Sequence, residues 1–408
     1  MLQCRPLSSR GWQNHSGTVA TSALPPNTKF GLFGARATTC SGAEGIRRQP
    51  ATRLVVLSFA LLTFAASTSC SAEHSASTAE LWYAASAICG LSREQLRVSA
   101  NVKPDTVVSS PRLSAISDVA LDAEGNVWAV GSGSNEVYRF PVSAFRSVAP
   151  RRPASAEPDL VIRSPQLASP GNLTFDAEGG LWVANRPAMG DSPIDGSIVR
   201  FDVPHGFSGN QDLLPTVEIS PSTPGDFFQI GNIAFDETGS LWLTSFVGVL
   251  RFDDPRSLEG SVVRAADAVI EKSGYTDNAY FYSVSFDPEG ALWAASGDGL
   301  HHLTSVTKFG DPGSLTGRSS PAADAVIIGI TDGLPAGGVA FDGARNLWLA
   351  TGESIVMYSR SNALSGTVTA EPAITLELRG GAAPATNSHL LFFPRPPGSI
   401  IGGSPVGG

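Results

Sequence analysis

Cysteine is scarce in this chain of 408 residues, with four in all, and charged residues make up only 16%. Where Cys4 and Cys40 leave with a leader and Cys70 is modified, as argued below, Cys89 stands alone, and one thiol cannot form an internal disulfide. The fold must then hold itself by packing. The apolar run 54–66 has thirteen residues, short of the roughly 20 that a bilayer-spanning helix needs. No GxSxG, HExxH, CxxC or phosphate-loop Gly-Lys-Ser/Thr signature is present, so the common hydrolase, zinc and nucleotide readings have no local support. A basic excess is also missing. Residues 1–53 hold seven Arg or Lys and one acid, which leaves 21 basic against 36 acidic residues in the remainder. That balance argues against nucleic acid, and against an anionic membrane held through a basic face.

What is abundant is turn-forming residues, with 43 Gly and 29 Pro, and a phrase that recurs. Trp82, Trp128, Trp182, Trp242, Trp293 and Trp348 each follow a Leu or Val, at intervals of 46, 54, 60, 51 and 55 residues. Five are preceded by an apolar run ending in Asp: VALDAEGNVW, LTFDAEGGLW, IAFDETGSLW, VSFDPEGALW and VAFDGARNLW. A period near 50 built from short strands means a toroidal array, because each unit buries its apolar faces only against its neighbours. Residues 172–219 show one unit: a first strand ending at Asp176, a tight turn to 181–184, a third strand at 198–201 and an outer one at 216–219. Further third strands are expected at 136–140, 248–252, 299–303 and 354–358, and outer strands at 159–162, 267–270, 324–327 and 373–376. A sixth unit is split between the ends. Residues 81–84, 87–91 and 105–108 supply three strands, and 390–393 supply the missing first one, with a register ambiguous by one residue. The expected fold is all-β, a six-bladed β-propeller of four-stranded antiparallel blades closed by the C-terminal strand.

The domain reading follows. Residues 1–53 are a basic leader, disordered or the product of a start codon placed too early; 54–70 combine a signal-like apolar core with Ser67, Thr68, Ser69 and Cys70; 71–79 are a linker; 80–400 form the propeller; 401–408 are a flexible tail. Cys70 after small residues resembles the bacterial lipobox, in which the new N-terminal Cys carries diacylglycerol, although Ser67 stands where that pattern prefers Leu. The expectation is an exported, envelope-anchored lipoprotein, facing the periplasm or exterior, that touches the membrane through its lipid only; plain secretion is the alternative. A monomer is expected.

The phrase FDxxGxLW followed by V-x-R-F/Y-D resembles the NHL-repeat propellers and the neighbouring regucalcin-like sugar-lactonase and virginiamycin B lyase propellers, over about residues 80–400. The resemblance implies protein or ligand binding as in NHL members, or calcium- or magnesium-type sites at the tunnel mouth as in the lactonases and lyases. The lactonases take metal ligands one repeat position before the ring considered below, where this chain has Ser117, Gly171, Gly231, Tyr282 and Gly337. The lyases use a His at the mouth as base, for which His389 is the one candidate here; His301 and His302 fall on a strand and His205 in an excursion loop.

Read from the residues, the Trp set suits packing between blades better than an aromatic cage. Asp122, Asp176, Asp236, Asp287 and Asp342 suit turn caps better than calcium loops, since further carboxylates at odd spacing are missing. Four residues before each turn Asp stand Asp118, Asn172, Asn232, Ser283 and Gly338, with His389 as sixth member. They form a ring facing one axis, either capping strand starts or holding a ligand. Asn185, Arg186, Asp191, Asp195 and Asp298 share that mouth, and the loop 185–197, with Gly190 and Pro193, is long enough to overhang it. Two functions are open. The first is a non-enzymatic binding module for a protein, glycan or small molecule, with no cofactor. The other is a lactonase or lyase in which Asp118, Asn172, Asn232 and Asp298 hold Ca or Mg that polarises a carbonyl.

Overall fold

Each repeated Asp closes its own hairpin and holds its own Trp. In Asp236, Oδ1 accepts the backbone N–H of Ser240 at 2.9 Å while Oδ2 accepts the indole N–H of Trp242 at 2.8 Å. The same pair of bonds recurs at Asp122, Asp176, Asp287 and Asp342. The six-residue spacing therefore has a cause: one carboxylate satisfies the turn and the first strand partner at once. The indole faces then meet the next unit. Trp128, Trp182 and Trp242 pack edge-on against Phe175, Phe235 and Phe286, with ring centroids 5.5–5.9 Å apart. On the third strand, Arg139, Arg200, Arg251 and Lys308 lie over the indoles at 5.4–5.8 Å.

The computed structural model describes residues 79–113, 115–131, 133–146, 153–186, 195–271, 280–297, 303–328, 338–352, 354–379, 384–385, 389–392, 400–401 and 404–405. Six sheets follow one another around an axis. From axis to rim, blade 1 is Leu390–Phe392, Ala79–Ala84, Ile88–Ser92 and Thr106–Ser109. Blade 2 is Ile116–Leu121, Val127–Gly131, Glu136–Phe140 and Leu160–Arg163; blade 3 is Pro170–Phe175, Leu181–Asn185, Ser197–Phe201 and Val217–Pro221. Blade 4 is Ile233–Phe235, Leu241–Ser245, Gly248–Phe252 and Ala268–Glu271; blade 5 is Tyr280–Phe286, Leu292–Gly297, Leu303–Phe309 and Ala325–Ile328. Blade 6 is Val339–Phe341, Leu347–Ala350, Ser354–Tyr358 and Ile374–Leu378. The core consists of wedges between neighbouring blades, as where Trp182 of blade 3 packs with Phe235, Leu243 and Leu250 of blade 4.

Two expectations need correction. Each blade has five strands and not four. The excursion before each outer strand lays a further strand, parallel, on the rim of the preceding blade: Ala154–Ser155 on blade 1, Gly209–Asp212 on blade 2, Gly260–Arg264 on blade 3, Gly317–Ser319 on blade 4 and Gly366–Val368 on blade 5. Ala100–Val102, from the N-terminal part of the chain, does the same for blade 6. The fourth-strand edge is thereby covered by backbone pairing. The other correction is in blade 5, where the third strand is Leu303–Phe309 and not 299–303; Lys308 pairs with Trp293 as Arg251 pairs with Trp242. His301 and His302 lie outside the described residues, as do 1–78 with Cys70.

The ring closes twice. Near the axis Leu390–Phe392 pairs antiparallel with Ala79–Ala84, and at the rim Ala100–Val102 pairs with Ile374–Leu378. Phe392 meets Trp348 at 6.1 Å, edge-on, which resolves the register: it holds the place of Phe175 and Phe235, and Phe393 falls where the other blades have Asp. The consequence is visible in Trp82, whose buried indole N–H has no hydrogen-bond partner among the described residues. Trp242→Phe removes a donor from buried Asp236, whereas Trp82→Phe removes no hydrogen bond to a described residue. We expect Trp242→Phe to cost about 1–3 kcal/mol more than Trp82→Phe in urea denaturation; equal losses would refute the spacing argument.

Candidate functional site

The register just fixed brings the polar ring together at one end of the axis. Asp118, Asn172, Asn232 and Ser283 are buried to within 1% of full burial, and the His389 side chain is 14% exposed. His389 belongs to blade 1 yet its Nε2 lies 3.0 Å from the Ile233 carbonyl and 3.1 Å from Asn232 Nδ2, both in blade 4. Blade 4 is diametrically opposite blade 1, so the imidazole spans the axis. Its Nδ1 lies 2.8 Å from Asp118 Oδ2, and its backbone N–H donates to Asp118 Oδ1 at 2.7 Å, both in adjacent blade 2.

The partners of the imidazole decide its charge. A carbonyl can only accept, so Nε2 bonds to Ile233 when it carries a proton, and the Asp118 carboxylate is best served by a proton on Nδ1. Asn232 Oδ1 accepts the Val284 N–H at 3.3 Å, which turns its amide donor towards Nε2, a contact that Nε2 accepts when it carries no proton. Burial alone would lower the His389 pKa, but the Asp118 charge and hydrogen bond, with the Ile233 carbonyl, raise it above its ordinary value of 6.5. Asp118 receives a proton from Nδ1 in either charge state of the ring, while Nε2 donates to Ile233 when protonated and accepts from Asn232 when it is not.

Strand capping accounts for part of the ring. Asp118 Oδ2 accepts Leu173 N–H at 3.0 Å, and Asn232 Oδ1 accepts Val284 N–H, so each ties its blade to the start of the next. Asn232 is itself held by Thr244, whose Oγ1 accepts its N–H at 2.7 Å. Asn185 is buried, but its hydrogen bonds go to Ala168, Gln166 and Ser197, clasping the loop that enters blade 3. Asp195 accepts the N–H groups of Gly225 and Phe227 and anchors another loop. Ser283 occupies its ring place with an Oγ that is buried and has no hydrogen-bond partner among the described residues. Gly338 is buried. His205 is exposed, 3.6 Å from Glu124 and far from this ring in the chain's architecture. Asp191 and Asp298, with most of the loop 185–197, lie outside the described residues.

Arg186 completes the group. Its Nη2 donates at 2.6 Å to Asn172 Oδ1 and at 2.6 Å to the Gly231 carbonyl of blade 4. Burial pushes its pKa down to about 10, against the pull of the Asp118 charge. A Cβ on Gly171 would stand 2.5 Å from Arg186 Nε, so the Gly here makes room for the guanidinium. Past Gly231, where a Cβ would meet the Tyr282 carbonyl at 3.0 Å, lies a half-buried aromatic group. Phe228 meets Phe246 at 5.6 Å, Phe246 meets Tyr280 at 5.1 Å, and Tyr280 stacks with Tyr282 at 6.4 Å. Phe246 follows its blade's second strand as Arg186 does, placing both at the same mouth.

A divalent ion does not fit these residues. Calcium or magnesium needs about six or more oxygens free to converge, yet both Asp118 oxygens, Asn232 Oδ1 and Asn172 Oδ1 already accept N–H donors, and a guanidinium sits among them. Among the described residues no cluster of three or more His, Cys, Asp or Glu side chains is disposed to hold a metal, and no helix is long and apolar enough to cross a membrane.

No family model matches the chain, and no curated protein matches it. Several solved structures are similar to it. The extracellular domain of a candidate one component system from B. thetaiotaomicron is 16% identical with a TM-score of 0.40, covering 64% of this chain; this chain spans 30% of the length of that one. Virginiamycin B lyase from Staphylococcus aureus is 15% identical, TM-score 0.35, over 60% of this chain and 67% of the lyase. A protein of unknown function from Bacteroides caccae is 11% identical, TM-score 0.45, over 77% of this chain and 99% of that one.

Proposed function

We propose that this protein is an exported propeller that binds its ligand at the axial mouth beside Arg186 and acts without a catalytic metal. The observation that carries the reading is the occupancy of the axial polar groups. Both nitrogens of His389 are engaged, at Asp118 and Ile233, so the imidazole is not placed to take a proton from a substrate. The groups that could have served lactone or lyase chemistry are used to tie blades 1, 2 and 4 together. Among the described residues this mouth also carries a half-buried aromatic group and the Arg186 cation, which suits a recognition surface.

The test is thermal unfolding of the purified full chain against calcium and magnesium. We expect no shift of the midpoint at micromolar ion. A shift that disappears in Asn232→Ala would establish the metal-assisted lactonase or lyase in its place. For export, the proposal extends the reading of residues 54–70 to lipid attachment at Cys70. Cys70→Ser is then expected to move the protein from the membrane fraction to the soluble one, and unchanged partitioning would refute the anchor.

A further inference from the structure

Three charged side chains stand in one row on the outer strands of blade 2. Glu136 opens the third strand, Arg163 closes the fourth and Asp212 closes the fifth; Glu136 is paired with Arg163 across one ladder, and Arg163 with Asp212 across the next. Residues paired in this way put their side chains on one face. The row therefore reads minus, plus, minus. Glu136 is spent within the fold, accepting Arg163 Nε on Oε1 and the Tyr138 hydroxyl on Oε2 at 2.6 Å. Among the described residues no hydrogen bond holds the Asp212 carboxylate, the Arg163 Nη groups or the Asn135 Nδ2. The Glu136 hydrogen bond and, behind it, the Asp212 charge raise the Arg163 pKa above its ordinary value, so the cation persists.

These groups line one cleft of about 700 Å³ at the rim of blade 2, a volume in the range of small-molecule sites. The rest of its wall is largely apolar. Pro165 is exposed and Leu214, just past the fifth strand, is 71% exposed, so the cleft sets bare carbon beside the charged row. An ion entering it would be drawn by one member of the row and repelled by the neighbour. A hydroxyl both donates and accepts, so two adjacent hydroxyls can give a proton to Asp212 and take one from Arg163 or Asn135. The C–H face of a sugar ring then has Leu214 and Pro165 to cover.

We propose that this cleft binds a neutral saccharide, two adjacent hydroxyls bridging Asp212 and Arg163 and a ring face lying on Leu214 and Pro165. It is a second site, separate from the axial mouth and independent of the charge of His389. Titration calorimetry of the full chain with cellotriose, maltotriose and mannotriose, against the cationic glucosamine trimer and anionic trigalacturonate, tests the class. We expect at least one neutral trisaccharide to bind, about ten-fold or more tightly than either charged one. Asp212→Ala, Arg163→Gln and Leu214→Ser should each weaken that binding about ten-fold. Val263→Ser, on the rim of blade 3, should leave it unchanged. Asp212 and Leu214 are exposed, so their variants should keep the parent thermal midpoint, and the case does not hang on how Arg163→Gln, which also releases Glu136, folds. Equal or tighter binding of a charged trisaccharide would show an ion site and overturn the assignment. So would the absence of binding by all three neutral sugars, or neutral binding that Asp212→Ala and Leu214→Ser leave untouched. The metal titration decides the axial reading separately, so a failure here and a failure there are distinguishable.

Discussion

A chain lacking residues 389–408 is expected to lose cooperative unfolding altogether. The missing segment supplies the axial strand of blade 1, so Leu81, Trp82 and Tyr83 would become an unpaired edge. Leu390 is buried, and Phe392 fills the face of Trp348 that Phe235 and Phe286 fill elsewhere. Burying two such side chains is worth about 1.5–3 kcal/mol each, and stranding Asp118 without His389 adds roughly 3–5 kcal/mol. The sum is comparable with the whole stability of an ordinary domain, about 5–15 kcal/mol. The rim closure by Ala100–Val102 on blade 6 survives the truncation, so the product should be an open, partly ordered ring. Broad urea transitions, sharpened by adding a peptide of residues 389–401, are the expected record. A truncated chain that unfolds in one sharp step near the parent midpoint would show that the axial closure contributes little.

That closure was legible in the sequence because the repeat was strict enough to reveal a missing piece. The Asp-to-Trp spacing reports two hydrogen bonds from one carboxylate, and such a constraint leaves a fixed interval in the chain. The fifth strands left no comparable mark. Gly209–Asp212 reads GNQD and Gly317–Ser319 reads GRS; their pairing is by backbone, and most of their side chains face water. No apolar alternation was there to find. In blade 5 the repeat order placed the third strand too early, at 299–303, although Lys308-Phe309 repeats the Arg-Phe ending of Gly248–Phe252 and marks the true place. At the mouth, counting back from each turn Asp found Asp118, Asn172, Asn232, Ser283 and His389. It did not find the role of Arg186, whose contact with Gly231 spans 45 residues. The signal was the glycine at position 171, read as a departure from a metal-binding pattern when it is the space a guanidinium requires.

Asp118→Asn is expected to be the most damaging conservative substitution at the axis, and its effect should depend on pH in a defined direction. The carboxylate accepts three N–H donors, from His389 twice and from Leu173 once. An amide keeps the shape, but its NH2 must face one of those donors, and His389 and Arg186 lose the negative charge that acts on both. Breaking a buried pair in this way costs about 3–5 kcal/mol. In the parent, His389 has a folded pKa raised above 6.5, so its contribution is fully present below the unfolded value and is lost as pH rises through the folded one. The native state binds the extra proton in that window, and stability therefore falls with pH across it. Without Asp118 the main cause of the raised value is gone, and burial would favour the neutral ring. Urea midpoints taken at intervals from pH 6 upward should fall for the parent and stay level for Asp118→Asn. Parallel slopes in the two proteins would show that the proton is held elsewhere and that His389 crosses the axis as a neutral ring.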